Sequence, residues 1–157
     1  DQPRSRGLGD VYKRQVWLNG RNVNGLIRTE EVSRMASVTS VNPKVRTKLV
    51  ELQRKLAAKE NVVMDGRDIG TVVLPDANVK IYLTASSAVR AKRRYEEQKA
   101  KGIDCNLEEI AHDIEERDRR DMTREIAPLK QAEDAVLVDS SDMTIAEVVK
   151  TIVDLCR

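Results

Sequence analysis

The side chains able to act on an anion fall in three places. On a run patterned as a helix over 107–124, Leu107, Ile110, Ala111 and Ile114 repeat at the 3.6-residue period. Continuing that face reaches Arg117, Asp121 and Arg124, so a stripe that is apolar at one end is charged at the other. An ionised group turned inward is costly unless it is paired or meets a ligand. This end of the helix is therefore a ligand site, or else an Arg117–Asp121 pair four residues apart on a solvated face. The second place is DGRDIGT (65–71), directly after a short apolar run. Gly66 and Gly70 permit a tight path and close backbone approach, Arg67 can fork onto a phosphate, and Asp68 can accept from an amino group or hydroxyl. An ordinary β-turn is the alternative. The third is RAKRRYEEQKAKG (90–102), where Arg90 and Arg94 share one helix face and Arg93 and Glu97 another. Val89 and Tyr95 are its main packing residues, so the helix is expected to be weakly anchored. That suits a mobile lid presenting arginines, or a salt-bridged surface helix. A basic helix for nucleic acid is a third option, weakened by the interleaved acids and the lack of stacking aromatics.

The elements that must position these groups are legible as local patterns. Val-Trp-Leu and Arg-Asn-Val flank Asn19-Gly20 within 16–23, a hairpin signal because both turn residues tolerate positive φ. Thr29 is placed to cap a short helix reaching about residue 39, with Glu30 and Glu31 where the helix dipole favours anions. Asn42-Pro43 starts a longer helix as cap and first helical residue, and Val45, Leu49, Leu52 and Leu56 mark its expected buried stripe. Apolar runs at 61–64, 79–83 and 135–138 read as buried strands, with helical patterns at 87–101, 107–124 and 144–155 and Gly102 as a stop. Strands alternating with helices predict an α/β fold with a parallel sheet. Ligands in such sheets sit beyond the carboxyl ends of the strands, which points to residues 65–68 and to Asp139-Ser140.

Composition narrows the function classes. The 157 residues are 40% hydrophobic, 34% charged and 3% aromatic, a length suited to one ordinary domain. The apolar runs are a few residues long, so neither a membrane span nor a secretory leader is expected. Cys105 and Cys156 fit neither a disulfide framework nor a zinc pattern, and the single His112 leaves too few ligands for a His-built metal site. A reduced, cytoplasmic setting is expected. The net charge of +2 is too small to argue for nucleic acid, and residues 1–15 carry all of it. That segment, DQPRSRGLGDVYKRQ, has no periodicity and is expected to be a foreign stretch joined to an incomplete reading frame; a native basic arm is the alternative.

Four segments in order, IRTEEVSRMAS (27–37), NPKVR (42–46), DGRDIGTVVLPDANVKIYL (65–83) and ERDRRDMTREIAPL (116–129), resemble bacterial cytidylate kinases, the (d)CMP kinases of the P-loop nucleoside monophosphate kinase group. The resemblance runs from about Val16 to the C-terminus. It implies a P-loop kinase-like parallel sheet with flanking helices, plus a small hairpin-and-helix substrate-binding insertion over 16–60. The kinase core would occupy 61–157, with a lid at about 86–102. It implies phosphoryl transfer from ATP, with Mg²⁺, to CMP or dCMP, by a cytoplasmic protein that is a monomer when complete and has no nucleic-acid or membrane partner. Carried onto this sequence, it implies that Ser37, Arg46 and Asp68 line the cytosine pocket and that Arg67 holds the acceptor phosphate. Arg117 and Asp121 would meet the ribose, Arg124 the phosphates in transfer, and Arg90 and Arg94 would close over ATP.

One departure from the family pattern stands out. The sequence contains no G-x-x-x-x-G-K-[ST] string, whose amides, Lys and hydroxyl would serve the ATP phosphates and Mg²⁺. The first strand, the phosphate loop and its helix are therefore expected to be absent, and the chain alone is expected to be inactive or nearly so. A non-catalytic pyrimidine-nucleotide-binding module is the alternative reading.

Overall fold

In the computed structural model the described residues are 16–27 and 29–157, without the side chains of Glu30, Ser33 and Ser37. The expectations for 1–15 lie outside them. The chain divides into two compact units, Asp1–Leu52 and Gln53–Arg157.

The first unit holds β1 (Trp17–Leu18), β2 (Arg21–Asn22), α1 (Glu30–Ser40) and most of α2 (Pro43–Ala57). Trp17 pairs with Asn22 and Leu18 with Arg21 in an antiparallel ribbon. Its turn residues, Asn19 and Gly20, have φ of 50° and 79°, the left-handed pair that a two-residue hairpin demands. Thr29 caps α1 by accepting from the Val32 N–H, and Asn42 caps α2 through Oδ1, which accepts from the Lys44 N–H at 3.0 Å. The predicted stripe on α2 is not buried: Val45, Leu49 and Leu52 are 40–48% exposed, and no residue of α2 is buried. Periodicity fixes which face of a helix is apolar, but burial needs a second surface over that face. Among the described residues none closes on it.

The second unit is α/β. Its strands β3 (Ile81–Thr84) and β4 (Val136–Asp139) pair in parallel, Ile81 opposite Val136 and Thr84 opposite Asp139. The crossover between them contains α3 (Ser87–Ala100) and α4 (Leu107–Thr123), and α5 (Ile145–Leu155) follows β4. Ser86, Asn106 and Thr144 cap the three helices. Gly102, at φ 72°, ends α3 as the following Ile103 N–H returns to the Gln98 carbonyl. Lys80 pins the start of β3: its buried ammonium donates to the Pro75 carbonyl and to both oxygens of Asp134.

Three expectations are corrected here. Residues 61–64 form no strand, and Val63 is 96% exposed. An apolar run gives the capacity to pair, but a strand exists only where a neighbour supplies the ladder, and the described residues supply none for this run. The sheet is accordingly two-stranded and only partly covered: Val138 is buried, whereas Leu83, Val136 and Leu137 are exposed. The third correction concerns α3, which is firmly anchored. Ala91, 1% exposed, forms the core cluster with Ile110 and Ile114 of α4, and Tyr95, Cys105 and Ala111 pack around them. A small residue allows close helix approach, so counting large apolar side chains underestimates the contact. Arginines add to it. Arg93 Nη2 donates to the carbonyls of Ser140 at 2.6 Å and Met143 at 3.2 Å.

Candidate active site

The loop DGRDIGT is not an ordinary β-turn. Asp68 leads into a five-residue π-helical turn, Ile69–Val73. The Asp68 carbonyl accepts from the N–H groups of Val72 at 2.9 Å and Val73 at 3.2 Å, and the Ile69 carbonyl from that of Leu74 at 2.7 Å. Val73, only 1% exposed, sinks into the core and fixes the far end of the turn. Gly66 is required by space: a Cβ there would lie 2.9 Å from Ile69 Cγ1, an atom next to the branched Cβ and close to its own backbone. An isolated π turn is a rare conformation, and the related π-bulges of α-helices are frequent at functional sites. This one places Arg67 and Asp68 immediately before it.

Asp121 is where the second unit gathers charge. Its side chain is 10% exposed, near the C-terminal end of α4, and lies on the face continuing from Ile110 and Ile114. Arg67 Nε donates to Asp121 Oδ2 at 2.9 Å. Arg117 Nε and Arg124 Nη1 each stand 4.0 Å from the same carboxylate. Three guanidiniums thus surround one acid, leaving an excess of positive charge. Arg67 and Arg117 are 42% and 43% exposed, so both retain open donor edges, whereas Arg124 is 16% exposed. The chain after α4 folds back to build this corner. The Leu129 N–H donates to the Asp121 carbonyl at 2.8 Å, and Arg124 Nε to the Ala127 carbonyl at 2.7 Å, with Ala127 at φ 50°. Such a cluster suits a phosphorylated ligand, because planar forks match phosphate oxygens and the surplus charge favours an anion.

The structure therefore brings Arg67, Arg117, Asp121 and Arg124 together, with Asp68 next to Arg67 in the chain. Arg90 has a different partner. Its guanidinium grips Asp118 in a two-point pair (Nη1 to Oδ1 at 3.1 Å), and its Nε donates to the Ala85 carbonyl at 3.0 Å. Arg94 lies one turn further along α3. There Glu97 is held below its ordinary carboxyl value of 4.5, mainly by a hydrogen bond from Lys101 and in smaller part by the charge of Arg94. Ser37 and Arg46 belong to the first unit, on α1 and on the first turn of α2. The side chain of Ser37 lies outside the described residues. Arg54, which the sequence reading passed over, donates to the carbonyls of Val72 and Val73. No local signal marks it, since its partners are 18 and 19 residues away.

Among the described residues no three His, Cys, Asp or Glu side chains are grouped to hold a metal ion. A Mg²⁺ carried by ATP is held chiefly by phosphates and water with one or two protein groups, which the family resemblance places mostly in the phosphate loop, so it calls for no such cluster. Among them, also, no helix is long and apolar enough to cross a membrane.

Comparison with known proteins gives the chemistry a context. The family model described as cytidylate kinase matches residues 8–157, a match that begins inside the segment expected to be foreign. The chain is 52% identical over 141 residues to a cytidylate kinase of Carboxydothermus hydrogenoformans, covering 90% of this chain and 64% of that protein. It is 51% identical over 145 residues to one of Lactobacillus johnsonii, covering 92% and 63%. To that of Fervidobacterium nodosum it is 43% identical over 164 residues, covering 99% and 75%. The chain thus spans less than two thirds of the length of the first and second of these relatives. The arginine-ringed acid and the loop before it are parts of a chain that belongs to the cytidylate kinase family.

Proposed function

We propose that the complete protein transfers the terminal phosphoryl group of ATP to CMP or dCMP. The observation that carries this reading is the ring of Arg67, Arg117 and Arg124 around Asp121. Phosphoryl transfer passes through a loose transition state with charge spread over the equatorial oxygens, so catalysis asks chiefly for positioning and positive charge. Arg67 holds the acceptor phosphate, and Arg117 with Asp121 meets the ribose. Arg124, the most enclosed of the three arginines, meets the phosphates in transfer. Arg90 and Arg94 close over ATP, for which Arg90 must exchange Asp118 for phosphate.

Ser37, Arg46 and Asp68 read the base. Cytosine presents an amino donor beside two acceptors. Asp68 accepts from the amino group and Arg46 donates to the acceptors; uracil reverses the first of these and offers an N–H to the guanidinium. A buried polar group left unpaired costs about 1–3 kcal/mol, more when charged, which is enough to select the base.

In this reading residues 16–60 form the acceptor-binding insertion and 61–157 the rest of a cytoplasmic, monomeric kinase. The 157-residue chain has no Gly-Lys-Ser/Thr phosphate loop, so alone it binds the acceptor and does not turn over. The second reading is a non-catalytic pyrimidine-nucleotide-binding module, a protein that keeps the CMP pocket and performs no transfer even when complete. Calorimetry with CMP and UMP tests the site itself: CMP should bind saturably and more tightly than UMP. Equal, weak heats for both would refute it. A coupled assay on the complete protein then separates kinase from module, since turnover with CMP excludes the module.

A further inference from the structure

A five-residue turn cannot satisfy its own last carbonyls, because the backbone beyond it no longer supplies N–H groups in register. In the turn Ile69–Val73 those carbonyls are taken by one side chain. Arg54 Nη2 donates to the Val72 carbonyl at 2.6 Å, and Arg54 Nε to the Val73 carbonyl at 2.9 Å. The opposite edges of the same two peptide groups point at the start of the turn. The Val72–Val73 peptide accepts from Arg54 and sends its N–H to the Asp68 carbonyl at 3.2 Å. The Val73–Leu74 peptide accepts from Arg54 and sends its N–H to the Ile69 carbonyl at 2.7 Å. Each peptide is planar and rigid, so two parallel relays run from one guanidinium to the backbone of Asp68 and Ile69. Hydrogen bonds in such chains polarise and strengthen one another.

We infer that Arg54 is a positioning residue for nucleobase selection: through these two peptide relays it fixes the backbone from which Asp68 projects. The inference rests on the proposed role of Asp68 toward cytosine. Its geometry requires an arginine. Only the fork of Nε and Nη2 spans two successive carbonyls, whereas a lysine keeps the charge but presents a compact ammonium on a flexible stem. Arg54 itself touches neither base nor phosphate in this role.

The test uses the full chain and three variants: Arg54→Lys, Arg54→Gln and Asp68→Asn. Amide hydrogen exchange is followed at Val73 and Leu74, with Ile110 and Val138 as core references, and affinities for CMP and UMP are measured by calorimetry. Both Arg54 variants should speed exchange at Val73 and Leu74 by about tenfold and leave the references unchanged. Both should also lower the CMP-to-UMP affinity ratio, as Asp68→Asn does. Unchanged exchange at Val73 and Leu74 overturns the relay. Faster exchange with an undiminished affinity ratio overturns the selectivity role and leaves Arg54 purely structural, as does loss of the core references in both Arg54 variants. If Asp68→Asn keeps the wild-type ratio, the base-reading assignment of Asp68 fails and takes this inference with it. If Asp68→Asn loses the ratio and Arg54→Lys keeps it, the inference about Arg54 alone fails.

Discussion

Replacing Asp121 by Asn removes one negative charge and almost no volume, and its effect follows from the three guanidiniums around it. At an effective dielectric of about 20, a pair at 4 Å is worth about 4 kcal/mol before solvation is counted. Arg67 and Arg117 are each more than two fifths exposed, so water screens much of their share, and Asn still accepts from Arg67 Nε. Breaking a fully buried pair costs about 3–5 kcal/mol. With two of three partners half in water, the expected loss is about 1–3 kcal/mol. For the unit Gln53–Arg157 that lowers the melting temperature by about 5–14 °C. The same change leaves Arg67, Arg117 and Arg124 facing one another without an anion. Inorganic phosphate should then stabilise the variant, by about 1.4 kcal/mol at ten times the variant's dissociation constant, and the wild type by less at the same concentration. Thermal unfolding at low ionic strength, with and without phosphate, reads both effects. An Asn variant that melts with the wild type, or that gains no more from phosphate than the wild type gains, would refute the claim that Asp121 is the resident counter-charge of an anion site.

Other consequences reach the chemistry and the fold. In the complete kinase Arg124→Ala should depress turnover by about 10²–10³-fold and CMP affinity far less, because its charge is wanted most during transfer; equal losses would move Arg124 to ground-state binding. Glu147 lies below its ordinary value of 4.5 because it accepts from the Thr144 backbone N–H and hydroxyl in the cap of α5. A carboxyl lowered by folding contributes stability that is present above its ordinary value and lost as pH falls through the lowered one. Urea midpoints should therefore drop on acidification, and less steeply in Glu147→Gln, which keeps the cap without the titration. Identical acid limbs in the two proteins would exclude this source. Gly66→Ala should cost about 1–3 kcal/mol by displacing Ile69, measured by urea unfolding, and a neutral effect would show that the loop has room to spare.

What the sequence disclosed and what it withheld divide by the distance to each residue's partner. Thr29, Asn42 and Gly102 announce helix ends because their hydrogen bonds close within five residues, and each does so as expected. The inward turn of Asp121 is likewise legible, since one helical period places it in line with Ile110 and Ile114. Its strongest partner is not: Arg67 lies 54 residues away, and only the arrival of the π-turn beside the end of α4 joins them. The failures follow the same rule. The run 61–64 is apolar and the stripe on α2 is periodic, but neither local pattern says who supplies the ladder or the covering face. The anchoring of α3 escaped because it depends on Ala91 and on arginines bonded to distant carbonyls and carboxylates. The π-turn itself left no trace, since Ile, Thr and two Val are strand formers and the fifth residue is a glycine, so local preference points away from any helical turn. Its conformation is imposed from outside, by a glycine that makes room, a valine that sinks into the core and an arginine that takes the last carbonyls. A loop held that way costs stability that a regular turn would not, and the cost makes sense if the loop must present Arg67 to Asp121 and Asp68 to a base at the same time.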